Sequence, residues 1–285
     1  MASPVMRSDA SSLGKIEETL DALCRSPTIY RAELRAQVNL PILSHIYYEP
    51  TENSLTGFTK TISSLGQAFL DLKLEHDPYF QAQLKENSDR SLRRVQKMRL
   101  TQKTWCQDQM KSFYATSLKI YHDLGAWAAD FYISEIVSRF TTMVDNEDSS
   151  LAAWDVSSAE RLYLSRALKS VEINCPSNDP PMISDKVTKL LDCILREPYG
   201  FSGIIFVQER ALVGCLAHLL QFHPKVCGRF RVGTMVGTSS SVYRTRSIGE
   251  LIDVEEQKHT ISKFRAGSIN LVVATSVLEE GCTFF

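Results

Sequence analysis

The stretch that decides the fold is NLVVATSVLEEGCTFF, Asn270 to Phe285. Its apolar run, Leu271 to Ala274, is too short for a helix and rich in β-branched residues, so it reads as a buried strand. The hydroxyls of Thr275 and Ser276 follow, then Glu279, Glu280 and Gly281. Open α/β sheets build ligand sites where a buried strand delivers such groups to its carboxyl end. The sequence stops soon after Gly281, which raises the question of whether that site is whole.

Working back from this strand, the text alternates. A helix carries Val187, Leu190, Leu191 and Ile194, and GFSG leads into a strand at Ile204 to Val207. A helix with Leu212, Leu216 and Leu219 comes next, followed by a strand at about Arg229 to Met235. The glycine- and serine-rich GTSSSVYR then leads to a helix near Val254 to Phe264. Strands alternating with helices predict a parallel sheet covered on both faces. Right-handed crossovers would bring the strand ends at Gln208, Gly237 and Thr275 to one edge.

The first half has another rhythm. Leu13, Ile16, Leu20 and Leu23 recur at three-four spacing until Pro27, and Phe58, Ile62, Leu65, Phe69 and Leu72 repeat the pattern until Asp77-Pro78. A longer helical tract starts near Ser88, with Ile120, Leu124, Trp127 and Phe131 on one face and Phe140 near its end. DNEDSS at Asp145 to Ser150 punctuates it, and a further helix spans about Ser157 to Ser170. NCPSNDPPM, Asn174 to Met182, is turn chemistry. The expected organisation is α/β with an α-helical domain: a helical bundle over residues 1–173, a linker at 174–184, and the parallel-sheet domain over 185–285.

Composition sets outer limits. The chain has 285 residues, 44% hydrophobic and 23% charged, which suits one or two globular domains with true cores. A net charge of −1 gives no global attraction to nucleic acid, so any such binding must use local patches. The seven cysteines are scattered without a CxxC pair, which argues against a disulfide framework or zinc site and for a reducing compartment. No segment reads as a signal peptide or a membrane span, and the expected location is the cytoplasm or the nucleus.

The candidate chemistry is mostly of a binding kind. GTMVGTSSS, Gly233 to Ser241, lacks the lysine of a P-loop. By spacing it is a plain strand-to-helix connection; the alternative is a backbone cradle for one or two phosphates. Thr275 and Ser276 either cap the next turn or touch a phosphodiester oxygen. Glu279 and Glu280 are surface acids unless a nucleotide lies beside them. The six histidines form no HExxH or HxH pair, and GxSxG is absent. SDRSLRRVQKMRLTQK places Arg90, Arg93, Arg94 and Lys97 on one helical face, with Arg99 and Lys103 nearby. That face is either plain solvated surface or a basic strip following an RNA backbone.

Together GIIFVQER, VGTSSS, QKHTISKFRAG and NLVVATSVLEEG resemble, in order, the second RecA-like helicase domain of Dicer proteins, fungal-type and of the antiviral, RNA-silencing class. IEETLDALCRSPTIYRAEL, Ile16 to Leu34, resembles the helical insertion domain that precedes it in Dicers and their RNA-sensor relatives. The resemblance implies that Thr275, Ser276, Gly237 and Ser239 touch an RNA backbone. It sets Gln208 and Arg210 at the RNA-facing strand end. Glu280 and Gly281 would lie near a cleft where ATP, with magnesium, is held between two RecA-like domains.

Several family parts are not in this sequence: the first helicase domain with its P-loop lysine and Asp-Glu box, the arginine motif, and the RNase III carboxylates. Where the family continues with a small apolar residue and an aspartate, Cys282 and Thr283 stand. The expectation is therefore a truncated fragment of a Dicer-like ATP-dependent helicase and endoribonuclease. It would bind double-stranded RNA without hydrolysing ATP and would need the missing first RecA-like domain as partner, with no membrane or DNA involved. The alternative is a stand-alone, non-enzymatic module that binds RNA or a helicase.

Overall fold

The chain divides into two compact units, Met1–Tyr47 and Tyr48–Phe285. The computed structural model describes residues 43–51, 58–148, 150–151, 154–174, 182–236, 247–251 and 259–275. Of the first unit only residues 43–47 are described, exposed and without regular structure. All the elements below lie in the second unit. The expected helix around Leu13 to Leu23 falls outside the described residues.

The helical part begins with α1 (Lys60–Asp71), whose N-terminus is closed by Thr59 accepting from the Ile62 amide at 3.2 Å. Ile62, Leu65 and Ala68 bury one face. After a 3-10 turn at Leu74–His76 comes α2 (Pro78–Glu86). Asp77-Pro78 therefore starts a helix as well as ending the preceding pattern. Pro78 sits at the first helical position, where its missing N–H costs nothing, and Asp77 accepts from the Tyr79 and Phe80 amides. The other Asp77 oxygen accepts from Thr104 at 2.6 Å, so two N-caps are joined in the interior.

The long tract expected from Ser88 is three helices: α3 (Asp89–Thr101), α4 (Trp105–Leu124) and α5 (Ala126–Asp145). Gln102, at φ 52°, ends the first, and Gly125, at φ 100°, ends the second. Ile120, Leu124, Trp127 and Phe131 thus do not share a single helix. The break requires glycine twice over, because φ is positive and the chain at Ile183 and Ser184 comes very close. A Cβ at Gly125 would lie 2.6 Å from the Ser184 nitrogen. Backbone bonds lace this joint, Ser184 N–H to Leu124 O (3.1 Å) and Trp127 N–H to Met182 O (3.0 Å). A Ser157–Glu160 capping box opens α6 (Ser158–Lys169), and Ser184 caps α7 (Asp185–Arg196).

The second part is β1 (Gly203–Val207), α8 (Arg210–Phe222), β2 (Val232–Met235), α9 (Thr260–Arg265) and β3 (Leu271–Thr275). The three strands form a parallel sheet, as the alternating text predicts, and their order is β1-β3-β2. β3 lies in the middle and every one of its residues is buried, which its uninterrupted apolar run requires. Leu271 and Val273 join the main core with α8, while Val272 and Ala274 meet Met235 and, from α9, Ile261 and Phe264. Helices therefore cover both faces. Full burial of a Leu or Val side chain stabilises by roughly 1.5–3 kcal/mol, so β3 anchors the sheet through its two faces.

The main core runs without interruption from α1 through α4, α5 and α6 to α8 and β3. A separate small cluster of Leu74, Phe80, Val95 and Met98 holds α2 and α3 together as a hairpin. No helix among the described residues is long and apolar enough to cross a membrane.

Candidate nucleic-acid interface

Because the strands are parallel, their carboxyl ends share one edge. Val207 pairs with Thr275, and Met235 with Ala274. Thr275 is buried, at 5% exposure. Gln208 follows β1 directly, and Arg210 opens α8 behind Glu209. Gln208 and Arg210 come together in a cavity of about 410 Å³, whose far wall is Ser112 and Thr116 of α4 and Tyr132 of α5, with Gly249 beside them. The cavity thus lies between the helical part and the edge of the sheet.

Its charge is mixed. Glu209 lines it and pairs with Lys119 of α4, a half-exposed ion pair of the kind worth about 0–1 kcal/mol. Glu250 lines it too, so the Arg210 charge is not the sole one there. Burial, with Cys215 close by, pushes the Tyr132 phenol well above its ordinary range. Tyr132 therefore stays protonated and donates to the Gly249 carbonyl at 3.1 Å.

A second cleft of about 530 Å³ separates α5 and α8 from β2 and α9. His218 forms part of its wall and stacks on Phe131, with centroids 3.5 Å apart, while Trp127 and Phe222 flank it. Burial lowers the His218 pKa, so the imidazole is held neutral as one more aromatic surface. Among the described residues no group of three or more His, Cys, Asp or Glu side chains could hold a metal ion.

The basic strip lies elsewhere, on α3. Arg90, Arg93, Arg94 and Lys97 are exposed, while Ser91, Val95 and Met98 face inward. Arg94 donates to Gln83 of α2 at 3.2 Å, and Arg99 lies over the Phe80 ring, but the strip's outer face is open. Arg93, Arg94 and Lys97 line neither cavity described above. Gly237, Ser239, Ser276, Glu280 and Gly281 fall outside the described residues. Ser112, Thr116 and the Ser247–Leu251 stretch could not be picked out from the sequence, because polar residues on a helix surface or in a loop leave no periodic trace.

No protein-family model matches the chain. Among known proteins it is 39% identical over 288 residues to Dicer-like protein 2 of Cryphonectria parasitica, covering 98% of this chain and 19% of that protein. Dicer-like protein 2 of Pyricularia oryzae is 38% identical, with 98% and 19% covered. Dicer-like protein 2-1 of Aspergillus niger is 38% identical, with 98% and 20% covered. The chain is Dicer-like. It spans about a fifth of the length of these relatives. The Pyrococcus furiosus Hef helicase domain aligns with 99% of this chain and 55% of its own, at TM-score 0.35 and 13% identity, too distantly to add to the fold.

Proposed function

We propose that this Dicer-like chain is a double-stranded RNA-binding segment of a helicase, with residues 1–173 as the helical insertion domain and 185–285 as part of the second RecA-like domain. The observation that carries the RNA reading is the open basic face of α3, on which Arg90, Arg93, Arg94 and Lys97 stand clear of the small core beneath. Cations on one face of a rigid helix meet successive phosphates without choosing sequence. At the sheet edge, Gln208 and Arg210 would provide a second contact, and in the same reading Thr275 and, from outside the described residues, Gly237, Ser239 and Ser276 would touch the RNA backbone.

ATP with magnesium belongs to the same reading of the intact helicase, where Glu280 and Gly281 would approach the nucleotide and a first RecA-like domain would close on it. Phosphoryl transfer depends on positioned charges around phosphate and metal. The described residues are assigned no such role, and this chain alone would bind RNA without hydrolysing ATP. RNA silencing and antiviral defence belong to the same reading, with a cytoplasmic or nuclear setting.

The test is binding of labelled blunt double-stranded RNA by the purified chain over a salt series, with and without ATP. Affinity is expected to fall steeply with salt and to ignore ATP. Replacing Arg93, Arg94 and Lys97 together by alanine should make the salt slope shallower by about 2–3, one contact per cation. No binding at low salt would sink this reading and favour a helicase-binding module without RNA contact.

A further inference from the structure

Between β2 and α9 lies the described stretch Ser247–Leu251, and the helical part holds it there by its backbone. The Ile248 amide donates to Gln109 of α4 at 3.0 Å, and that bond is buried. The Tyr132 hydroxyl of α5 donates to the Gly249 carbonyl at 3.1 Å. Arg139, further along α5, donates to the Leu251 carbonyl at 3.2 Å and reaches the Glu250 carbonyl at 3.5 Å. Ile248 is itself part of the main core. A Cβ on Gly249 would sit 2.5 Å from the Tyr132 oxygen, so glycine is what allows the approach.

The polarity of these bonds matters. Three helix side chains grip main-chain atoms, so the stretch is held as a strap through its backbone, with Ile248 in the core and no side chain at Gly249. Both flanks of the strap lead to elements of the sheet part, β2 on one side and α9 on the other. It also lines the cavity containing Gln208 and Arg210. The strap is therefore tied to the helices, while the chain it belongs to serves the sheet.

We propose that Ser247–Leu251 sets the carboxyl edge of the sheet relative to the helical part, so that Gln109, Tyr132 and Arg139 are positioning residues for RNA bound at that edge. The proposal rests on the RNA reading above. None of the three side chains needs to touch RNA.

The experiment uses the full chain carrying Gly249→Val, which forces the strap away from Tyr132, or Arg139→Ala, which removes an exposed clasp without touching the core. Arg139→Lys keeps a donor and is the rescue. Exchange of the Ile248 amide reports the strap itself, and binding of blunt double-stranded RNA reports the edge. Expected are faster Ile248 exchange in Gly249→Val and an RNA affinity about 3- to 10-fold weaker, the worth of a lost hydrogen bond or two. The additional loss on Arg93→Ala should be the same in both backgrounds, and Arg139→Lys should bind as the native chain does.

A general loss of structure would instead erase the Arg93 effect, which would overturn the positioning role. Native RNA affinity in a chain whose Ile248 exchanges faster would overturn it as well. Unchanged exchange in Gly249→Val would show that the strap is not held there, and the positioning role would fall with it. If the native chain binds no RNA, the RNA reading fails first and the proposal with it, while Ile248 exchange still shows whether the strap is clamped.

Discussion

Gly125 and Asp130 show what single residues contribute. At Gly125 a side chain meets both a positive φ and the Ser184 backbone at 2.6 Å, and backbone cannot swing aside as a side chain can. Gly125→Ala is expected to cost about 2–4 kcal/mol, read as a lower denaturant midpoint with an unchanged slope. Asp130 is buried in α5, accepting from the Thr59 hydroxyl at 2.5 Å. Burial raises its carboxyl pKa, and the hydroxyls of Thr59 and Thr61 pull the other way without cancelling it. With the folded value above the unfolded one, the folded state holds the proton more tightly. Stability then declines as pH rises from about 4 through the folded value. Asp130→Asn keeps an acceptor for Thr59 and should flatten that decline when midpoints are compared at about pH 4 and pH 7.

At the scale of elements, the α2–α3 hairpin stands on its own cluster of Leu74, Phe80, Val95 and Met98. A small separate core opens more readily than the main one. Val95→Ala should speed amide exchange across α2 and α3 while leaving α5 protected, and uniform acceleration would show that the hairpin is not a separate unit.

Element boundaries are also where the sequence is most and least legible. β1 and β3 are visible in their apolar runs, and Ser157 with Glu160 marks a helix start. β2, read from about Arg229, begins at Val232 because Pro224 to Arg229 are occupied by a turn in which the Arg229 amide donates to the Val226 carbonyl. The break at Gly125 is hidden because apolar residues continue at three-four spacing on either side of it. Its cause lies far along the chain at Ser184, and no local pattern records so distant a contact. The candidate residues are legible unequally: Gln208 from its strand end, Arg210 only through the family resemblance, the α3 cations from their shared face. The opposing Ser112 and Thr116 are not, since only the packing of α4 against the sheet edge makes them neighbours.

For the whole molecule, the sheet leaves apolar surface in view. Phe206 of β1 shares a face with Ile204 yet is 40% exposed, and β1 is an outer strand among those described. Outer strands with bare apolar side chains invite pairing between molecules. The chain should self-associate as concentration rises, and Phe206→Lys should shift that equilibrium toward monomer in sedimentation, with a stability change of less than about 1 kcal/mol. A monomer at all concentrations would show that the surface is covered.

The strand order has a consequence in time. Among the described strands β1 and β2 pair only with β3, and β3 is the last of the three to be made. During synthesis the helices that rely on near neighbours can settle as they emerge, whereas the two outer strands must wait unpaired until the ribosome has released Leu271 to Thr275. Assembly of the sheet is thus a single late event. A chain interrupted before that segment would carry two strands with no partner between them.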